Sequence, residues 1–126
     1  MKGYGLRPEN NTIARYLKNA GYKTAIFGKW HLGYEPEVGP NRHGFDEYYG
    51  LLSGNVDHYS HKEINNEDDW YEDLKPVKVD GYSTELIRDR VEEQIAALCV
   101  QVRSQEPNSR IIKRQKIYII RIDKVK

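Results

Sequence analysis

The chain has 126 residues, 38% apolar and 31% charged, with a net charge of +1. That is a globular but apolar-poor composition, enough for one domain of ordinary size and a modest core. No run of eighteen apolar residues occurs, which excludes a membrane-spanning helix.

The opening Met1-Lys2-Gly3-Tyr4-Gly5-Leu6-Arg7 lacks the apolar centre of a signal peptide, so the chain is expected to begin in the middle of a protein. Its single cysteine, Cys99, cannot form an internal disulfide and leaves the redox compartment undetermined. Asn10 and Asn11 precede a stretch in which Ile13, Tyr16, Leu17 and Ala20 fall on one helical stripe. Either asparagine can cap that helix, and Gly21 stands where a left-handed residue ends it. Tyr22 to Phe27 then forms a short β-prone run, stopped by Gly28. In open α/β sheets ligands sit beyond the carboxyl ends of the strands, and the loop Gly28-Lys29-Trp30-His31-Leu32-Gly33 occupies that kind of position.

From Tyr34 to Tyr82 the chain is rich in Gly, Pro, Asn and Asp and reads as one long irregular segment. Its tyrosines and tryptophan argue for an ordered, functional surface. A second helix is expected from Ser83 or Thr84, with Leu86, Ile87, Val91, Ile95 and Leu98 on one face and Arg88 paired with Glu92 on the other. A β-prone run, Ile117 to Ile122, follows within a basic end. Residues 110–126 carry Arg110, Lys113, Arg114, Lys116, Arg121, Lys124 and Lys126 against Asp123. Such asymmetry can mark a nucleic-acid or membrane tail, but an ordinary solvated terminus is the commoner case, and no nucleic-acid partner is expected.

Lys29 and His31 stand one residue apart on a glycine-bounded loop. A lysine offers a compact positive charge and a histidine exchanges protons near neutral pH, a combination suited to an anionic ligand. Two neighbouring surface side chains would have the same spacing. The surrounding string is more specific. The run Gly21-Tyr22-Lys23-Thr24-Ala25-Ile26-Phe27-Gly28-Lys29-Trp30-His31-Leu32-Gly33 resembles the second signature of the sulfatase family. Pro40-Asn41-Arg42-His43-Gly44-Phe45-Asp46-Glu47-Tyr48-Tyr49-Gly50 is similar to the family's His-Gly-Phe-Asp segment, and Gly54 to His61 to a stretch of the arylsulfatases. The resemblance covers roughly residues 6–95.

The resemblance implies an α/β chain, part of the three-layer alkaline-phosphatase-like fold: a helix–strand–loop unit, a long irregular segment and a second helix. It implies a partial catalytic domain over residues 1–98 and a divergent basic tail over 99–126. It implies that Lys29 contacts the sulfate and the catalytic aldehyde hydrate, and that His31 assists sulfate release as a general acid–base. Ser60 matches a substrate-contacting serine of some arylsulfatases, and His61 stands beside it; a loop-structuring role is an equal alternative for both. The implied partner is a sulfate-ester small molecule or a sulfated glycan. His43 is expected to be structural, and Trp30 to point into packing. His58 and His61 are three apart, a spacing that serves zinc on a helix, but they fall in a loop without cysteine.

The family's nucleophile, a formylglycine made from Cys or Ser in a Cys/Ser-x-Pro-x-Arg motif, has no counterpart. Cys99-Val100-Gln101-Val102-Arg103 lacks the proline, and Ser104 is followed by Gln105-Glu106-Pro107, one place late. The aspartates and asparagine that hold the family's calcium are absent as well. The expectation is therefore a sulfatase fragment that is inactive alone. The alternatives are a non-catalytic binding module with a basic tail, or a truncated or frameshifted product without function.

Overall fold

The computed structural model describes residues 4–104 and 116–122. Helix α1 spans Ile13–Asn19. Its cap is Thr12, whose hydroxyl oxygen accepts from the Arg15 amide at 3.2 Å and whose hydroxyl proton goes to the His43 carbonyl. Neither asparagine takes that place, since the Asn10 amide is drawn into a turn by the Arg7 carbonyl at 2.9 Å. Gly21, at φ 85°, turns the chain into strand β1. The helix does not face the core with the stripe its periodicity suggests. Ala14 is fully buried, whereas Ile13 is 59% and Tyr16 63% exposed. The cause is close backbone packing: a Cβ on Gly44 would lie 2.5 Å from the Arg15 amide nitrogen, so only a small side chain fits beneath the helix.

Strand β1 covers Tyr22–Lys29, one residue beyond the expected stop at Gly28. It runs parallel to β2, Glu47–Leu51, on one side and to β5, Lys116–Ile122, on the other. The β-hairpin of β3, Tyr71–Glu72, and β4, Lys75–Pro76, adds antiparallel to β2, giving the order β4-β3-β2-β1-β5. Three strands and two short 3₁₀ turns, Pro36–Val38 and Pro40–His43, thus lie in the segment expected to be irregular. Gly28 and Gly50 are register partners, and a Cβ on Gly50 would lie 2.1 Å from the Gly28 carbonyl oxygen. Glycine there lets the two strands continue side by side towards the Lys29 turn.

Because side chains alternate across a strand, β1 feeds two cores. Ile26 packs with Ala14, Trp30, Phe45, Tyr48 and Leu52, on the α1 side. Phe27 packs with Tyr49, Leu51, Trp70 and Ile87, on the side of helix α2, Ser83–Ser104. The result is three layers. On α2, Ile87 is buried and Leu86 and Val91 pack against the same cluster, but Ile95 is 48% exposed. Arg88 pairs with its neighbour Asp89 at 2.6 Å and not with Glu92. Arg90 makes the interlayer contact instead, reaching Glu72 at 2.5 Å with its guanidinium 4.3 Å above the Tyr49 ring. Among the described residues no helix is long and apolar enough to cross a membrane.

Candidate functional site

The carboxyl ends of β1 and β2 lie side by side, with Lys29 in register with Leu51. Pairing continues past the strands. The Trp30 amide donates to the Leu51 carbonyl at 2.9 Å and the His31 amide to the Leu52 carbonyl at 3.0 Å. Trp30 is buried and its indole N–H donates to the Val38 carbonyl at 3.0 Å, so this side chain faces packing. It is flanked by the two residues with polar heads. Lys29 is half-buried and makes no ion pair among the described residues. His31 is exposed and left-handed, at φ 56°. Its ring stands edge-on to Tyr34 at 6.3 Å and rests on Gly54, where a Cβ would lie 2.7 Å from Nε2.

Ser60 and His61 lie elsewhere. Asp57 Oδ1 accepts from the Tyr59 amide, the Ser60 amide and the Ser60 hydroxyl at 3.0, 2.7 and 2.9 Å. Those bonds to Ser60, then the Tyr59 amide, hold the Asp57 carboxyl below the ordinary carboxylate value. His61 is left-handed at φ 55° and 4% exposed, its ring 4.6 Å from that of Trp70. Both residues line a cavity of about 190 Å³ with Lys62, Asp68, Trp70 and Lys78, and neither Lys29 nor His31 lines it. His58 Nδ1 is 2.6 Å from the Ser83 hydroxyl, which ties this loop to the start of α2.

His43 is wholly buried, its ring 5.2 Å from that of Trp30. Neither ring nitrogen has a hydrogen-bond partner. Burial pushes its pKa below the ordinary value, aided by the Arg15 charge and opposed by the nearby Val38 and Leu6 carbonyls. Asp46 accepts from the Thr24 amide at 2.9 Å and hydroxyl at 3.1 Å and pairs with Lys18 at 2.7 Å. Asp69, 4% exposed, accepts from the Leu52 and Ser53 amides at 3.0 and 2.9 Å. Neither Asp57 nor Asp69 stands out in the sequence as a functional residue. The Asp-x-x-Ser spacing is a local turn signal that identifies the first, whereas Asp69 acts 17 residues away and leaves no local trace.

A calcium ion needs several oxygen ligands. Among the described residues no group of three or more His, Cys, Asp or Glu is placed to hold a metal, so these residues do not fit the family's calcium.

A family profile, Sulfatase, matches residues 4–109. The chain is 36% identical to arylsulfatase J of Mus musculus over 96 residues, covering 70% of this chain and 16% of that protein. It is 30% identical to N-acetylgalactosamine-6-sulfatase of Canis lupus familiaris over 112 residues, covering 82% and 21%. Arylsulfatase G of Homo sapiens is 49% identical over 47 residues, covering 37% and 9%. Among solved structures, Ps i-CgsB in complex with k-i-k-neocarrahexaose superposes with a TM-score of 0.67 at 23% identity, over 94% of this chain and 27% of that one. The PsFucS1 sulfatase from Pseudoalteromonas sp. gives 0.61 at 18% identity, over 90% and 26%. These two share the α/β fold and three-layer arrangement described above. The chain thus spans between 16% and 21% of the first two curated relatives' length. With the profile running from Tyr4 through both helices to residue 109, the chain belongs to the sulfatase family.

Proposed function

We propose that this chain forms one wall of a sulfate-ester hydrolase site, with Lys29 holding the negative charge of the sulfo group and His31 exchanging a proton with the departing sulfate. The observation that carries the reading is Lys29, a half-buried lysine without a carboxylate partner among the described residues, at the carboxyl end of a parallel strand. A fixed charge at that position stabilises an anion without reorganising, and a neighbouring imidazole suits proton transfer near neutral pH. Ser60 and His61 are assigned to the rest of the bound molecule through the cavity they share with Lys62 and Lys78. The names arylsulfatase and N-acetylgalactosamine-6-sulfatase, and the neocarrahexaose bound to one structural relative, support an aryl sulfate or a sulfated glycan as the substrate class.

The sequence holds no Cys/Ser-x-Pro-x-Arg motif for the family's nucleophile, and among the described residues none fits its calcium, so no step is assigned to either and the chain alone is expected not to turn over. A chromogenic aryl sulfate assayed with added calcium checks this; turnover above background would count against it. Binding is tested separately by titrating the full chain with inorganic sulfate and following Lys29 and His31 by NMR. Charge-assisted hydrogen bonds contribute about 1.5–3 kcal/mol, so Lys29→Ala should weaken sulfate binding by roughly 10- to 100-fold. Unchanged binding in that variant would sink the assignment.

A further inference from the structure

Two successive peptide units after β2 are each held from both sides. In the Leu51–Leu52 unit, the Leu51 carbonyl accepts from the Trp30 amide at 2.9 Å, and the Leu52 amide donates to Asp69 Oδ1 at 3.0 Å. In the Leu52–Ser53 unit, the Leu52 carbonyl accepts from the His31 amide at 3.0 Å, and the Ser53 amide donates to Asp69 Oδ2 at 2.9 Å. One carboxylate therefore backs both peptides that hold the Lys29–His31 turn. We propose that Asp69 is the positioning residue of the candidate sulfate site, setting His31 through these two peptides without touching the ligand.

Three features support this. A charged acceptor on a peptide N–H polarises the unit and strengthens what its carbonyl accepts, so Asp69 tightens the bonds to Trp30 and His31. Leu52 and Ser53 are buried at 0% and 3% exposure, so their amides have no access to water in place of the carboxylate. His31 sits in the left-handed region, at φ 56°, a conformation that persists only where surroundings over-determine it. Gly54, directly after the clamped peptides, is the floor on which the His31 ring rests. The same aspartate reaches the other loop: its own amide donates to the His61 carbonyl at 2.9 Å. Asp69 thereby sets the turn carrying Lys29 and His31 and the one carrying His61.

The inference rests on the sulfate-site reading for its functional half, and the experiment separates the two. Hydrogen exchange on the full wild-type chain comes first. The amides of Trp30, His31, Leu52 and Ser53 should exchange as one cooperative set; a His31 amide exchanging independently of Leu52 and Ser53 would overturn the clamp without any variant. Asp69→Asn keeps the volume and one acceptor oxygen, and Asp69→Ala removes both. Each should speed exchange of the His31 amide, by about tenfold in Asp69→Asn and more in Asp69→Ala, following loss of one or both charge-assisted bonds. Inorganic sulfate should bind about tenfold more weakly to Asp69→Asn, with the Lys29 and His31 shifts reduced together while the His58 ring, tied to Ser83, keeps its wild-type signal. If Asp69→Asn folds and its His31 exchange and sulfate response match wild type, the proposal fails. If wild type gives no response to sulfate while His31 exchange still depends on Asp69, the clamp stands and the sulfate reading fails.

Discussion

Asp46 and His43 lie three residues apart and respond to acid through opposite charges. Asp46 joins the start of β1 to the turn before β2 through Thr24 and anchors α1 through Lys18. Burial pushes its pKa up, but the Lys18 and Thr24 bonds outweigh this and hold it below the ordinary carboxylate value of 3.8. Its stabilisation is therefore complete above that value and is lost as pH falls through the lower folded value. Asp46→Asn should cost about 1–2 kcal/mol at neutral pH, read from urea unfolding, since it removes the Lys18 pair and sets an amide against the Thr24 N–H. His43 acts earlier in an acid titration. Its folded value lies below the ordinary 6.5, so the unfolded chain takes up the proton more readily. Stability is complete above about 6.5 and falls as pH is lowered from there to the folded value. His43→Phe should remove that part of the decline in a series of thermal melts. It should also lose little at neutral pH, because the ring's approaches to the Val38 and Leu6 carbonyls fall short of hydrogen-bond geometry.

At the scale of elements, what was legible in the sequence was what local chemistry dictates. Gly21 ends α1 and Tyr22 begins β1, because a positive φ at the helix end demands glycine, and the apolar run after it has no other reading. The cap at Thr12 and the orientation of α1 were not legible, because both depend on the turn at His43–Gly44, some thirty residues away. Strand β2 was hidden because Glu47–Leu51 is short and contains Gly50, which reads as a breaker until its partner Gly28 is known. The β3–β4 turn lacks the usual glycine: Asp73 and Leu74 both take positive φ, at 45° and 64°. Asp73 is held there by the Tyr48 amide and Asn41, and Leu74 by packing over Gly39 and the core. The Gly28–Gly50 pair gives the sharpest test at this scale. A methyl group at Gly50 would lie 2.1 Å from the Gly28 carbonyl, at a φ of 149° that an L side chain rarely adopts. Gly50→Ala should therefore cost on the order of 3 kcal/mol or more through overpacking and backbone strain, measured as a lower urea midpoint. An unchanged midpoint would show that the strands can part there without loss.

Across the whole molecule, β1 is the strand on which both cores depend, with Ile26 on one face and Phe27 on the other. A strand buried on both faces is stable only if its edges are also paired, since unpaired backbone groups there cannot reach water. The β2 edge is covered within the family match, but the opposite edge is covered by β5, Lys116–Ile122, which lies beyond residue 109. Seven residues of β1, Tyr22 to Gly28, pair with β5 in parallel register. A basic, β-prone terminal run thus does more in the fold than its composition conveys, because composition records charge and not the strand it pairs with. Ending the chain after Ser104 removes β5 and leaves the open edge of β1 as a template for other chains. The shortened protein should unfold less cooperatively and sediment as concentration-dependent aggregates, while α1 and the β2–β3 and β3–β4 pairings keep their backbone shifts. Should it remain monomeric with the same urea midpoint as the full chain, β5 would be dispensable and β1 stable with one edge open. Lys29 and His31 stand immediately past that strand. The same truncation should therefore raise hydrogen exchange at Phe27 and Gly28 before it affects Leu52 and Ser53, which Asp69 holds from the other side.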